Sequence, residues 1–174
     1  GIDLSIGALV SMTSVILGCL TVEQGWPVWA ASLLCIVLTT ALGLLSGTSI
    51  FLTSMPPLIA TLGMSNIVQG IAYLAHGGLP VYGIPDSIRE LGQGAIGIIP
   101  KSVIVWFIML ALGWFLLEKT KLGRNIYAVG SNEEAARLSG IHTFQIKTFC
   151  YSICGFFAGI AGVVMTGRLN SGQT

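Results

Sequence analysis

The sequence predicts an all-α integral membrane protein, a polytopic helical bundle with about five spans and one short polar helix outside the membrane. Three observations carry this. Only 9% of the 174 residues are charged, where a soluble domain has about a quarter. Hydrophobic residues make up 53%, the mean hydropathy is +0.86 and the net charge is +1. Between Glu23 and Asp86 there is no Asp, Glu, Lys or Arg. That stretch has room for more than one crossing of a ~30 Å hydrocarbon core at about 20 residues each. The runs do not alternate as the strands of a membrane barrel would. Several hydrophobic runs and no basic start exclude a cleaved signal peptide. Gly1 opens in mid-pattern without an initiator Met, so the sequence reads as a fragment of a longer chain.

Taken in order, Leu4 to Val22 is a run of 19 uncharged residues and forms the first span, closed by a turn at Glu23, Gln24 and Gly25. Trp26 to Gly47 is the second, with Trp26 and Trp29 at its start, where indoles favour the membrane interface. "SGTS", residues 46 to 49, is expected to turn the chain. A third element covers about Phe51 to Ala75 and is interrupted by Pro56 and Pro57. Proline lacks a backbone donor and disfavours helix just before it, so the helix itself starts near Pro57. Residues 77 to 101 are rich in glycine and proline and read as a loop with one amphipathic turn at "PDSIRE". Ser102 to Leu117 is a fourth span. Residues 118 to 147 are a polar loop, and Thr148 to Gly167 is a fifth uncharged run, of 20 residues. Its pairs Gly155/Gly159 and Ala158/Gly162 have the small-xxx-small spacing that lets helices approach closely. Cys19, Cys35, Cys150 and Cys154 all lie in apolar runs and read as packing residues, not a disulfide framework or a metal set.

Five of the eight Lys and Arg residues fall in the 118–147 loop, which places that loop in the cytoplasm and the 77–101 loop, with Arg168, outside.

Within the cytoplasmic loop, Ser131 and Glu134 have capping-box spacing, so a helix starts at Asn132. Glu133 and Glu134 occupy its first turn, where the helix dipole favours negative charge. Glu133 and Arg137 form an i, i+4 pair, and Gly140 is placed to end the helix in the left-handed conformation. Ala135, Leu138 and Ile141 share one side. Two turns of helix are not stable alone in water. This one docks either on its own membrane domain or on a cytoplasmic partner.

Asp3 stands at the edge of an apolar run. Either it or Ser5 caps the first span, or it shapes a path through the membrane. Thr61, Asn66 and Gln69 are spaced to lie along one stripe of the third span, suited to interhelical hydrogen bonds or to a hydroxylated solute. His76, beside Gly77 and Gly78, reads as an interfacial loop residue.

"EAARLSG", residues 134 to 140, has the Glu-Ala-Ala-x-x-x-Gly pattern of the cytoplasmic loop of bacterial ABC importer permeases. The longer "TKLGRNIYAVGSNEEAARLSGI" resembles that loop in the ribose/xylose/arabinose-type sugar permeases. So do "GIDLSIGALVSM" at residues 1 to 12, "PPLIATLGMSNIVQGIAYLAHGG" at 56 to 78 and "GRLNSGQT" at 167 to 174, each for its own segment of the family and in the family's order. The chain departs from the family at Gly167, where Ala is usual, and it lacks the Ile-x-Leu-Pro continuation of the general importer motif.

The resemblance implies that residues 1 to 174 are the middle part of a single transmembrane permease domain in the bacterial plasma (inner) membrane. Asn132, Glu133, Glu134, Ala135, Ala136, Arg137, Leu138 and Gly140 would form a coupling helix seated in a cytoplasmic ABC ATPase. Asp3, Ser5, Thr61, Asn66 and Gln69 are the candidate lining of the translocation path. The implied partners are that ATPase, a second permease copy, an extracytoplasmic sugar-binding protein and the lipid bilayer. ATP and Mg²⁺ would be bound by the ATPase and no cofactor by this chain, which has no phosphate-binding Gly-x-x-x-x-Gly-Lys-Ser/Thr loop. No catalytic or metal constellation is present, and the basic residues are too scattered for nucleic acid. A nucleoside or branched-chain amino acid permease of the same kind stays open. A secondary carrier or intramembrane enzyme is the alternative from another class, although the spans lack its mid-span charges apart from the marginal Asp3.

Overall fold

A computed structural model describes residues 1–173, so Thr174, the last residue of "GRLNSGQT", lies outside them. Helix α1 (Ile6–Gly18) widens into a π-helical turn, Cys19–Glu23, before Gly25 (φ 68°) reverses the chain. There follow α2 (Val28–Thr53), α3 (Pro57–His76), α4 (Asp86–Gln93), α5 (Lys101–Lys119), α6 (Lys121–Ser131), α7 (Glu133–Leu138) and α8 (Thr143–Leu169). Two-residue strands pair antiparallel, β1 (Val81–Tyr82) with β4 (Ser171–Gly172) and β2 (Ala95–Ile96) with β3 (Ile99–Pro100). Among the described residues, five helices are long and apolar enough to cross a membrane: α1 with its π turn, α2, α3, α5 and α8.

The second span does not turn at "SGTS". Those residues lie inside α2, where the Ser46 and Thr48 hydroxyls donate to the carbonyls of Leu42 and Leu44 at 3.0 Å and keep the polar side chains within the helix. The chain turns instead at Ser54, in the left-handed conformation (φ 52°), ahead of Pro56. Pro57 then opens α3 at its first position, where no N–H is needed. The 77–101 segment is also more structured than one amphipathic turn, holding α4 and the β2–β3 hairpin.

Helix α1 is the centre of the bundle. Leu9, Met12, Val15 and Leu17 are fully buried, and α3 and α8 pack along it. The small residues of α8 divide between two neighbours. Gly159 faces α2, where an added Cβ would come within 3.0 Å of the Ile36 Cα, while Ala158 joins the α1 core beside Ala8, Leu9 and Met12. Gly162 meets Thr13 of α1, whose Cβ lies 2.4 Å from where a second Cβ would stand. Helix α2 answers with its own glycine, since a Cβ on Gly43 would fall 2.3 Å from the Tyr151 carbonyl oxygen. Small residues on both helices thus replace the side-chain layer that would hold the backbones apart.

At the opposite end from α7, α4 lies across the end of α8. Ile88 is buried there, and Gln93 Nε2 donates to the Arg168 carbonyl at 3.1 Å. Glu23 Oε1 and His76 Nε2, 2.9 Å apart, tie the ends of α1 and α3. Helix α5 has no buried residue.

Candidate functional site

Residues 118–147 are not an open loop carrying one helix. Thr120 caps α6, its Oγ1 accepting from Gly123 N–H at 3.1 Å, and α6 runs to Ser131. Ser131 is therefore the end of a helix and not the cap of the next. Its hydroxyl donates back to the Tyr127 carbonyl at 2.9 Å. The cap of α7 is Asn132, in extended conformation, whose Oδ1 accepts from Ala135 N–H at 3.0 Å. Glu133 and Glu134 occupy the first turn, as expected. At the other end Gly140 (φ 83°) donates to the Arg137 carbonyl and Ile141 N–H to the Ala136 carbonyl, both at 3.0 Å. This is a full Schellman ending.

Ala135, Leu138 and Ile141, which spacing places on one side, do not act together: Ile141 is half-buried, and Ala135 and Leu138 are exposed. Ala136 is the buried residue, packed with Val129 of α6 and Ile146 of α8, and Ile141 closes the edge of this cluster. With only six residues in α7, its register is set by the two neighbours it must touch. Leu138 is 80% exposed. Glu133 does not pair with Arg137. Both its carboxylate oxygens lie 2.5 Å from Lys147 Nζ on α8, which draws the side chain along the helix toward a tertiary partner. Glu134, Ala135, Arg137 and Leu138 face outward, and neither Glu134 nor Arg137 forms an ion pair among the described residues. Beside α7 runs a groove lined in part by Phe51 and Phe144, whose rings meet at a 43° tilt with centroids 4.4 Å apart.

The second set of candidate residues divides. Asp3 Oδ1 accepts from the Ser5 N–H at 2.9 Å and the Ser5 hydroxyl at 2.6 Å, so Asp3 supplies the turn that leads into α1. Thr61 is fully buried. Its Oγ1 accepts from Leu4 N–H at 3.2 Å and donates to the Pro57 carbonyl at 2.9 Å, binding α3 to this turn. Asp3, Ser5 and Thr61 are thus brought together. Asn66 and Gln69 are exposed and do not join them. The inward stripe of α3 is Thr61, Val68 and Ala72, and Asn66 and Gln69 lie off it. Tyr151 was not evident from sequence. Its buried hydroxyl has no partner among the described residues, nor has the second Asp3 oxygen, and the two approach the same turn, since a Cβ on Gly1 would lie 2.6 Å from that hydroxyl. The legible signal was a tyrosine hydroxyl inside an apolar run.

Among the described residues no group of three or more His, Cys, Asp or Glu could hold a metal ion, and the four cysteines are unpaired.

Five membrane-length helices among the described residues, one of them the buried α1, with a capped polar helix held at one end, define a polytopic α-helical membrane protein. The chain belongs to the family described as branched-chain amino acid transport system / permease component, which it matches over residues 1–174. It is 33% identical over 177 residues to the ribose import permease protein of Haemophilus influenzae, covering 99% of this chain and 54% of that protein. It is 36% identical over 174 residues to the D-allose transport system permease protein of Escherichia coli (99% and 53%). With the fructose import permease protein of Rhizobium meliloti it shares 34% identity over 180 residues (98% and 50%). The chain spans about half the length of these relatives. No solved structure matches it.

Proposed function

We propose that this chain is part of the permease subunit of an ATP-driven importer in the bacterial plasma membrane, passing a monosaccharide or related small polar solute delivered by an extracytoplasmic binding protein. Similarity along the whole chain to relatives named for ribose, allose and fructose supports the solute class. The observation that carries the mechanism is α7. It is fastened on its inner face by Ala136, the Schellman ending and the Glu133–Lys147 pair, and left bare on its outer face at Leu138. An exposed leucine on a short rigid helix is the apolar contact that a groove in a cytoplasmic ATPase would receive, in the helix-in-groove manner. ATP and Mg²⁺ sit on that ATPase, and a second permease copy completes the assembly. When the ATPase pair closes, α7 moves as a rigid element. Lys147 and Ile146 pass the displacement to α8, and the close-packed glycines of α8 carry it to α1 and α2.

The test uses the full-length permease co-expressed with its ATPase. Leu138→Asp and deletion of residues 132–140 should each leave a monodisperse membrane protein that no longer co-purifies with the ATPase. Retained co-purification in both would refute the coupling role. In vesicles holding the complete system, uptake driven by leucine-loaded binding protein and not by any monosaccharide-loaded one would overturn the solute class.

A further inference from the structure

Between α4 and α5 the β2–β3 hairpin carries an apolar tip. Ile96 is 63% exposed, Ile98 97% and Ile99 49%, with Gly97 (φ 62°) making the turn. No charged residue occurs from Ala95 to Pro100. The hairpin is a built element, its strands paired Ala95 to Pro100 and Ile96 to Ile99 and its base closed by Lys101 N–H donating to the Gly94 carbonyl at 2.8 Å. The charges gather at that base, where Lys101 Nζ lies 2.5 Å from Glu90 Oε1 and Arg89 pairs with Asp86. Three exposed isoleucines on one short turn form an apolar patch of the kind that marks a contact surface.

The length of α5 says where this tip lies. Its 19 residues span only about 28 Å at 1.5 Å per residue, against a hydrocarbon core of ~30 Å. Both ends of α5 therefore sit at the edges of the core, and Lys101 marks one of those edges. Ile98 is three residues before Lys101, within about 10 Å along an extended chain. The tip therefore lies within about 10 Å of that edge, beside a helix that has no residue buried in protein. An uncharged tip over a charged base matches the layout of interfacial anchors, whose apolar side chains enter the headgroup–acyl boundary while Lys and Arg stay at the polar level.

We propose that the 95–100 hairpin is a lipid-interface anchor, with Ile96, Ile98 and Ile99 seated in the leaflet that borders Lys101. It fixes the height of α4, and hence of the end of α8 that α4 covers, relative to the bilayer. This seat does not depend on the solute carried.

A nitroxide label tests the anchor. In full-length permease with Cys150 and Cys154 changed to alanine, Ile98→Cys is labelled and reconstituted in phosphatidylcholine–phosphatidylglycerol vesicles. Ile98 is almost fully exposed among the described residues, so the change removes no contact with them. Two reference labels bracket it: Ser87→Cys on the exposed face of α4 and Leu110→Cys on the exposed face of α5. The expected result is an interfacial depth at position 98: collision with an aqueous nickel chelate well below that at position 87 and oxygen collision well above it, both values falling between those of positions 87 and 110. Nickel collision equal to that at position 87 would place the tip in water and overturn the proposal. Low collision with both reagents would show a protein covering the tip, such as the delivering binding protein, and would overturn it equally.

Discussion

Gly155 of α8 faces Thr39 of α2 so closely that a β-carbon added to the glycine would stand 2.2 Å from the Thr39 carbonyl oxygen. The obstacle is main chain in the middle of a helix, so it cannot swing aside. Gly155→Ala is expected to destabilise the protein by about 1–3 kcal/mol, the usual cost of overpacking. Gly63 supplies the contrast, since nothing lies within 4 Å of its β-position. Gly63→Ala is expected to stabilise by about 0.5–1 kcal/mol through helix propensity. Denaturant unfolding in detergent should separate the two variants in sign. A Gly155→Ala protein as stable as the parent would show that α2 and α8 can part without cost.

The two ends of α7 carry independent expectations. Asn132→Ala removes the cap and is expected to cost about 1 kcal/mol. Gly140→Ala forces a side chain into the left-handed region at about 1–2 kcal/mol. Hydrogen exchange over residues 133–139 should then accelerate roughly five- to thirtyfold, with exchange in α2 and α8 unchanged. Acceleration throughout the protein would mean that α7 is part of the global fold and not a separately docked element.

Lys147, not Arg137, is the partner of Glu133. Both side chains are well exposed, so the pair is worth about 0.2–1 kcal/mol and weakens with salt. Arg137→Ala should leave exchange in α7 as it is, Lys147→Glu should raise it, and Glu133→Lys combined with Lys147→Glu should recover part of the loss. An effect of Arg137→Ala as large as that of Lys147→Glu would restore the intrahelical pair that spacing suggests.

On the opposite side of the bundle, the Lys101 ammonium donates a hydrogen bond to Glu90, and its charge adds to that, holding the Glu90 carboxyl below the ordinary glutamate range. A depressed carboxyl favours the folded arrangement above the ordinary value of about 4.3, and the benefit is lost as pH falls through the lower folded value. Carbon-13 NMR of labelled protein should find the Glu90 midpoint below that of a free glutamate. Lys101→Gln should return it to the ordinary value. A midpoint at the ordinary value in the parent protein would show that the pair does not persist in solution.

The membrane class and the five spans were legible because they rest on long uncharged runs, which few other structures can satisfy. Pro56-Pro57 and Gly140 were equally plain, each fixing one backbone conformation. The errors have local causes. Ser46 and Thr48 looked like turn formers, yet hydroxyls inside an apolar helix bond to the preceding turn and leave the helix intact. Helix α6 was hidden by Gly123 and Gly130, which lower helix propensity, although Leu122, Ile126 and Val129 keep the spacing. The inward face of α7 and the choice of Lys147 over Arg137 depend on α6 and α8, and no pattern within six residues encodes them. Asn66 and Gln69 share a face with one another, but the direction of that face is set by the packing of α3 on α1.

The hydrogen bond from the Ser14 hydroxyl to the Ser171 carbonyl joins residues 157 apart in the chain. During synthesis α1 emerges before α8, and the segment that clasps its far half follows only after that interval. At 5–20 residues per second the delay is on the order of ten seconds. For that time Thr13 and Ser14, both buried in the finished bundle, are without α8. A buried helix of the bundle therefore waits for its last partner, and a nascent chain stalled before residue 160 would present a polar-faced orphan segment to the insertion and quality-control machinery of the cell.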